Sequence, residues 1–451
     1  MNIVIFGAGR TGEYLTRIFV YENNNVIVVD KDPEKCAKIE GVYDVSTLVY
    51  DGIKKEMFNK KFFSNTDLFI AVTAVDEMNI IACGLAKEMG DNTMTVARIR
   101  NEDYEMFGDF TNTAMKGIDL IIHPEKELTK ELVNLVSYPE ALDIYDLSRG
   151  NLFIISTLVK RNSSFDGVKV NKIARNVMDM DNYRIVLIER KMEAIIPNGD
   201  FEIKENDKIY FISEKENIET FFHGMGYNIK AGKDIMINGS GNVTKAIGLE
   251  LEKLGKFNVK VIVNDKEKAL ALSELFKNTL VVFGEATDID VLATEGIDDM
   301  DFYLALTGND EANMVSSLLA SHLEVKRTVT RIEKTDYLPI TRTIGLGRCV
   351  NSSIATTNAI MRFVKHGKIL STSTFKGINI GAVTFKIGDN SKCTNKAISE
   401  LKFPEKAVIG AILRGDEYFV PSGNHIIKPD DEIILFCERI MIPKFEKMFG
   451  R

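Results

Sequence analysis

The chain opens on Ile3-Val4-Ile5-Phe6, a wholly apolar run that stops at a cluster of glycines. Directly behind it, Leu15, Ile18 and Phe19 recur at helical spacing across residues 11–22. Further apolar runs occupy residues 26–30, 68–73, 95–99 and 118–122, interleaved with helical patterns at residues 76–90 and 125–137. Runs this short and apolar, alternating with helices, predict a parallel sheet covered on both faces. Past residue 142 the pattern changes. NLFIISTLV, YRIVLIER and DKIYFISE, grouped around a turn at Pro197-Asn198-Gly199-Asp200, describe a smaller unit richer in strands. A unit this small buries little core by itself, so it is expected to pack against a copy of itself.

The same patterns then return. FIAVTAVDEMN at residues 69–79 matches YLALTGNDEAN at residues 303–313, with Thr73, Asp76 and Asn79 opposite Thr307, Asp310 and Asn313. TVAR (Thr95–Arg98) pairs with TVTR (Thr328–Arg331) after a one-residue slip, and GAGRTG at residues 7–12 pairs with GSGNVT at residues 239–244. In the strand-rich segment, Arg190, Pro197, Gly199 and Asp207 pair with Arg414, Pro421, Gly423 and Asp431. Two repeated segments in the same order make an A–B–A–B chain. The expected fold is α/β: a tandem duplication of a Rossmann-like parallel-sheet N-domain followed by a small α+β C-domain. The expected domains are residues 1–124, 142–228, 230–350 and 368–451, with a glycine-rich junction at Gly224, Gly226 and Gly232.

Composition narrows the function class. With 45% hydrophobic and 27% charged residues this is a folded globular protein. The formal charge of −8 argues against a nucleic-acid binder, which needs a clustered excess of Lys and Arg. No apolar run approaches the roughly 18 to 20 residues that span a bilayer, and the N-terminus lacks a signal peptide's basic region. Five cysteines without metal spacing read as reduced thiols of a cytosolic protein. Any tie to a membrane is therefore expected to run through a partner.

The candidate chemistry sits at the glycines. Gly7-Ala8-Gly9-Arg10-Thr11-Gly12 follows a strand and opens a helix. The first glycine permits a tight turn, the second lets the backbone approach a pyrophosphate, and the third allows close helix–strand packing. The helix N-terminus supplies unpaired N–H groups for the anion. Asp30 closes the second strand and is an acceptor for both adenosine ribose hydroxyls, which favours NAD(H) over its 2′-phosphorylated relative. Thr73, read as ending a strand, and the backbone of Ala74 line the ligand, or Thr73 simply terminates the strand. Arg98 reaches a phosphate, or it pairs with Asp76 or Glu77. Asp76 is expected to cap the helix that starts there.

The second copy departs from this pattern. Gly239, Ser240, Gly241, Asn242 and Val243 form the turn, but Thr244 replaces the third glycine. Asn264 is read at the strand end with Asp265 beside it, so the ribose acceptor is ambiguous; Thr307 and Arg331 are retained. A weaker or differently selective second nucleotide site is expected, the alternative being a degenerate structural copy. None of the five histidines, His366 among Lys365, Gly367 and Lys368 included, stands in a catalytic setting. The chain holds a nucleotide without visible chemistry to perform on it, and no metal site is expected.

GAGRTGEYL, VIVVD, AVTAVDEMN, ARIR and the repeated IIPNGD…IKENDKIY element together resemble the potassium-channel-regulating RCK (KTN) domains, in the duplicated form of the TrkA family. The resemblance spans essentially the whole chain. It implies a cytoplasmic regulatory subunit, not an enzyme, assembled as a homotetramer whose N-domains form a ring beneath a membrane-embedded TrkH or TrkG potassium pore protein. It also implies that NAD(H), or ATP and ADP, bind the N-domains and change the ring's geometry. Dinucleotide contacts then fall on Gly7 to Thr11, Asp30, Thr73, Ala74 and Arg98, and in the second half near Gly239 to Val243, Asn264, Asp265, Thr307 and Arg331. The family's GDxT-like acidic turn survives as Gly284-Glu285-Ala286-Thr287, whereas the first copy has Tyr50-Asp51-Gly52.

Overall fold

The structure is a computed structural model of the chain. It describes residues 1–451 other than 91, 102, 107–116, 148–150, 177–182, 192, 228–232, 366–379, 390, 402, 405, 416 and 450–451. Gly232, His366, the expected domain bounds at residues 228 and 230 and the expected start of the last segment at residue 368 lie outside the described residues. The chain divides into two compact units, Met1–Val133 with Gly232–Phe363, and Asn134–Ala231 with Val364–Arg451. Each unit thus contains the matching segments of both halves.

The first sheet comprises β1 (Asn2–Phe6), β2 (Asn25–Asp30), β3 (Ser46–Val49), β4 (Leu68–Ala71), β5 (Met94–Arg98) and β6 (Leu120–Ile122). Its strands run parallel in the order β3-β2-β1-β4-β5-β6. The order reverses at β1, whose neighbours are β2 and β4, and the crevice beyond their carboxyl ends is where such sheets hold ligands. The Arg10–Tyr21 helix follows β1 and buries Tyr14, Leu15 and Phe19. One expectation needs trimming. β4 ends at Ala71, so Thr73 lies two residues past the strand, in the connection to the Asp76–Met89 helix.

The first strand-rich segment contains β7 (Asp143–Asp146), β8 (Leu152–Leu158), β9 (Tyr183–Arg190), β10 (Glu193–Ile195) and β11 (Lys208–Glu214), antiparallel in the order β10-β9-β11-β8-β7. The second parallel sheet repeats the first: β12 (Asp234–Asn238), β13 (Asn258–Val263), β14 (Leu280–Phe283), β15 (Phe302–Ala305), β16 (Thr328–Arg331) and β17 (Arg348–Val350), in the order β14-β13-β12-β15-β16-β17. The last sheet holds β18 (Ile380–Lys386), β19 (Ala407–Arg414), β20 (Glu417–Phe419) and β21 (Glu432–Glu438), in the order β18-β21-β19-β20. The fold is a duplicated pair of Rossmann-like sheets and small antiparallel domains.

The two antiparallel sheets share one apolar core. Leu152, Ile154, Val186, Leu187, Tyr210 and Ile212 pack with Ile380, Ala382, Ala411, Val420, Ile434 and Phe436. Close approach requires Gly410, where a Cβ would lie 2.4 Å from Ile212 Cδ1 and 2.6 Å from the Phe436 ring. The repeated Arg and Asp also find their purpose here. Arg190 clamps Asp207 through Nε and Nη2 at 2.7 and 2.6 Å, and Arg414 clamps Asp431 through the same atoms at 2.8 Å each. The aspartates are 1% and 0% exposed, so the two-point pairing offsets the cost of burying them. Among the described residues no helix is long and apolar enough to cross a membrane.

Candidate functional site

The first crevice is shaped by backbone that only glycine tolerates. Gly7 leaves β1 at φ +120°, and a Cβ there would stand 2.9 Å from the Thr73 nitrogen. A Cβ on Gly12 would meet the Gly7 carbonyl oxygen at 1.8 Å, so helix and strand touch at this point. Gly9 is the opposite case. Nothing lies within 4 Å of its would-be Cβ, and it precedes the Arg10–Tyr21 helix without a side-chain cap. The first-turn N–H groups are therefore left to water or to an anion, in a cradle that backbone alone defines. Arg10 and Ala74 are exposed, while Ala8 is buried.

Asp30 ties the second strand to that cradle. Its Oδ2 accepts the Ala8 N–H at 2.6 Å and its Oδ1 accepts the Asp32 N–H at 2.9 Å. An ionised carboxylate has about four lone-pair sites, so two remain for the hydroxyls of a ribose. The cradle, the uncapped helix and this acceptor fit a dinucleotide's pyrophosphate and adenosine ribose.

Opposite Asp30 the connection after β4 is knotted by Asn79, which is fully buried. Its Oδ1 accepts from Thr73 Oγ1 at 2.7 Å and from the Thr73 N–H at 3.0 Å, and its Nδ2 donates to the Thr73 and Arg98 carbonyls at 3.2 and 2.8 Å. Thr73 therefore spends its hydroxyl on the loop, and Asn79 ties the carboxyl ends of β4 and β5 together. In the sequence, Asn79 stands out only through its repeat at Asn313, which makes the same bonds to Thr307 and Arg331.

Asp76 does not cap its helix. Val75 occupies the N-cap, and the Asp76 carboxylate instead accepts the Arg100 and Asn101 N–H groups at 2.9 and 2.8 Å. Glu77 takes the Tyr104 hydroxyl at 2.5 Å. With both acids engaged elsewhere, Arg98 forms no ion pair among the described residues. Its Nη1 reaches the Val72 carbonyl at 3.4 Å, and its Nε is buried without a partner. Burial, followed by the charge of Arg100, pushes its pKa down. A half-buried cation with a buried, unused donor at a strand end is suited to an anionic ligand.

The second crevice, of ≈ 840 Å³, is built on the same plan with different chemistry. Gly239, Ser240, Gly241, Asn242, Asn264 and Thr307 line it; Val243, Asp265 and Arg331 do not. Gly239 adopts φ +148°, Gly241 is open, and the Asn242–Leu254 helix again starts uncapped. The register corrects the sequence alignment. Gly7 donates to Val29 and Gly239 to Ile262, while Tyr50 donates to Asp30 and Gly284 to Val263. The residue in Asp30's position is therefore Val263, which is 1% exposed. Asn264 lies one residue beyond the strand, where its Nδ2 donates to Glu285 at 3.1 Å. Asp265 matches Asp32 instead: both are N-caps of the following helix. Arg331 is neutralised, with Nε 2.8 Å from Glu333 and Nη2 3.4 Å from Ser352.

Comparison with known proteins agrees with this duplication. The TrkA-N domain model matches residues 3–124 and 235–352, and the TrkA-C domain model matches residues 154–225 and 382–450. A Trk system potassium uptake protein TrkA homolog of Methanosarcina mazei is 30% identical, with 100% of both chains covered. The Trk system potassium uptake protein TrkA of Haemophilus influenzae is 29% identical, covering 100% of this chain and 98% of its own. Among solved structures, the GsuK RCK domain superposes with a TM-score of 0.60 at 16% identity over 100% of this chain and 95% of its own. A GsuK channel described as bound to NAD gives 0.60 at 17%, over 100% of this chain and 79% of its own. Because the N- and C-type models each match twice in alternation and full-length relatives align end to end, the chain belongs to the TrkA family.

Proposed function

We propose that this chain is the nucleotide-binding regulatory subunit of a potassium uptake system, with NAD(H) as an allosteric ligand in the first crevice. The observation that carries the ligand assignment is the Ala8 to Asp30 bond beside an open Gly9 and an uncapped helix. That arrangement offers main-chain donors to a pyrophosphate and a carboxylate to an unphosphorylated ribose. The potassium assignment rests on full-length relatives named as potassium uptake proteins. The subunit is cytoplasmic and works on a separate membrane-embedded pore of the TrkH or TrkG type, as a tetrameric ring. The ligand is held and not consumed.

Such a subunit acts through differential binding. A nucleotide shifts the ring between two states only by the difference in its affinity for them, about 1–3 kcal/mol for typical coupling. NAD⁺ and NADH differ by one charge, and ATP and ADP by a phosphate, so each pair supplies such a difference. The decisive experiment titrates the purified chain with NAD⁺, NADH, ATP and ADP, then measures potassium flux through the reconstituted pore protein with each. Binding that leaves flux unchanged in every case would remove the regulatory reading; absence of any binding would remove the ligand.

A further inference from the structure

The two crevices differ in charge where a dinucleotide's adenosine ribose lies. In the first, Asp30 stands at the end of β2 and Glu13 on the first turn of the Arg10–Tyr21 helix that precedes β2, with Glu13 paired to Lys38 at 3.0 Å. In the second, the matching positions are Val263 and Lys245, and Ala271 replaces Lys38. Two negative side chains have become one neutral and one positive. Lys245 is exposed, lines the crevice and forms no ion pair among the described residues. Lys268, from the helix after β13, lines the same wall and is shared with Asp265 at 3.2 Å, as its counterpart Lys35 is with Asp32 at 3.4 Å, so the difference between the crevices rests on Val263 and Lys245. Glu285 also faces this crevice, but its counterpart Asp51 is equally acidic, so it does not account for the difference. Its carboxylate is held by Asn264 and by Thr287, each at 3.1 Å.

A strand-end carboxylate selects the free 2′-hydroxyl by accepting its proton and repels a phosphate there. A nearby cation without that carboxylate does the reverse. From the loss of the acid at Val263 and the gain of Lys245 beside Lys268, we infer that the second crevice is a site for a 2′-phosphorylated adenine dinucleotide, NADP(H). Its pyrophosphate sits on the uncapped Asn242–Leu254 helix, and its 2′-phosphate is held by the two lysines. The inference rests on reading both crevices as nucleotide sites, and it gives the two halves different ligands. The far side is less positive than in the first half, since Glu333 holds Arg331 and stands where the first half has Arg100.

The test uses the full-length chain with Asp30→Ala to weaken the first site, titrated calorimetrically with NADPH and with NADH. The expected result is NADPH binding tighter than NADH by about tenfold or more, the scale of one partly exposed charge pair. Adding Lys245→Glu, an exposed position where the fold is undisturbed, is expected to erase that preference, with NADPH affinity falling at least about tenfold further than NADH affinity. NADH binding as well as NADPH, or a preference untouched by Lys245→Glu, overturns the inference. If the wild type binds NADH but the Asp30→Ala chain binds neither dinucleotide, this inference falls while the reading of the first crevice stands. If the wild type binds no nucleotide, both fall.

Discussion

The hydroxyl of Thr11, in the glycine turn of the first half, lies 3.1 Å from the hydroxyl of Ser353 in the second half. Both residues are buried. Ser353 belongs to the Ser352–Lys365 helix, and its neighbour Ser352 donates to Glu333, the acid that holds Arg331. The turn that cradles one ligand is thus bonded to the helix whose first residue touches the other half's arginine pair. Ser353→Ala removes one neutral hydrogen bond, worth about 0.5–1.5 kcal/mol. A few-fold change in first-site NADH affinity is expected, read by calorimetry, with the melting temperature lowered by no more than a few degrees.

Asp30→Ala removes both the ribose acceptor and the bond to Ala8. A loss of about 1–3 kcal/mol, ten- to hundredfold in NADH affinity, is expected. Asp265→Ala, which a string alignment would treat as the same substitution, should leave first-site affinity untouched. Titration of the two variants side by side checks the contrast.

The two strand-end arginines should respond differently. Arg98→Ala deletes a buried donor with no protein partner at its Nε, so ligand affinity should fall while the unliganded fold holds or gains stability. Arg331→Ala strands Glu333, which is only 14% exposed on its side chain, and should lower stability more than binding. Thermal unfolding with and without NADH separates the two outcomes.

Gly410→Ala places a methyl group against the Phe436 ring, which is itself fully buried. Overpacking of this kind costs about 1–3 kcal/mol. Denaturant unfolding should show that loss, with nucleotide binding unaffected.

Glu311 supplies a pH signature. Its carboxylate accepts from Lys334 Nζ at 2.7 Å and Tyr337 Oη at 2.9 Å, and these bonds, the lysine's first, hold its pKa down at about 2 against an ordinary 4.5. The folded state therefore binds fewer protons than the unfolded state between those values. The contribution is complete above pH 4.5 and fades as pH falls toward 2. Glu311→Gln should be less stable than wild type at pH 6, with the gap narrowed by pH 3 and closing only as pH falls toward 2. A constant gap in denaturant unfolding across that range would contradict the assignment.

Much of this architecture is legible in the sequence because parallel strands buried on both faces leave continuous apolar runs, and because a duplication repeats its own errors. What eluded the sequence is register. VIVVD (residues 26–30) and VIVND (residues 261–265) look aligned as strings. The pairing partners and the helix caps instead set Asp265 against Asp32 and Val263 against Asp30. Strands encode which face is buried but carry no mark for where pairing starts. The fate of Arg331 was hidden for a related reason: its partner Glu333 is nearby in sequence, but Ser352 arrives from another strand–helix junction. Asn79 was visible only as a repeated letter, because its role lies in joining two strand ends that the chain visits far apart.

The apolar seam between the two antiparallel sheets bears on how the molecule could be divided. A half-length chain ending near residue 225 would turn the face carrying Leu152, Ile154, Val186 and Ile212 to water. Such a fragment would be soluble only as a pair, and its folding would depend on how much of it was present. Linking the copies in one polypeptide replaces that encounter with an effective local concentration set by the linker. It also frees the halves to diverge in what they hold, since neither must any longer recognise its twin in solution.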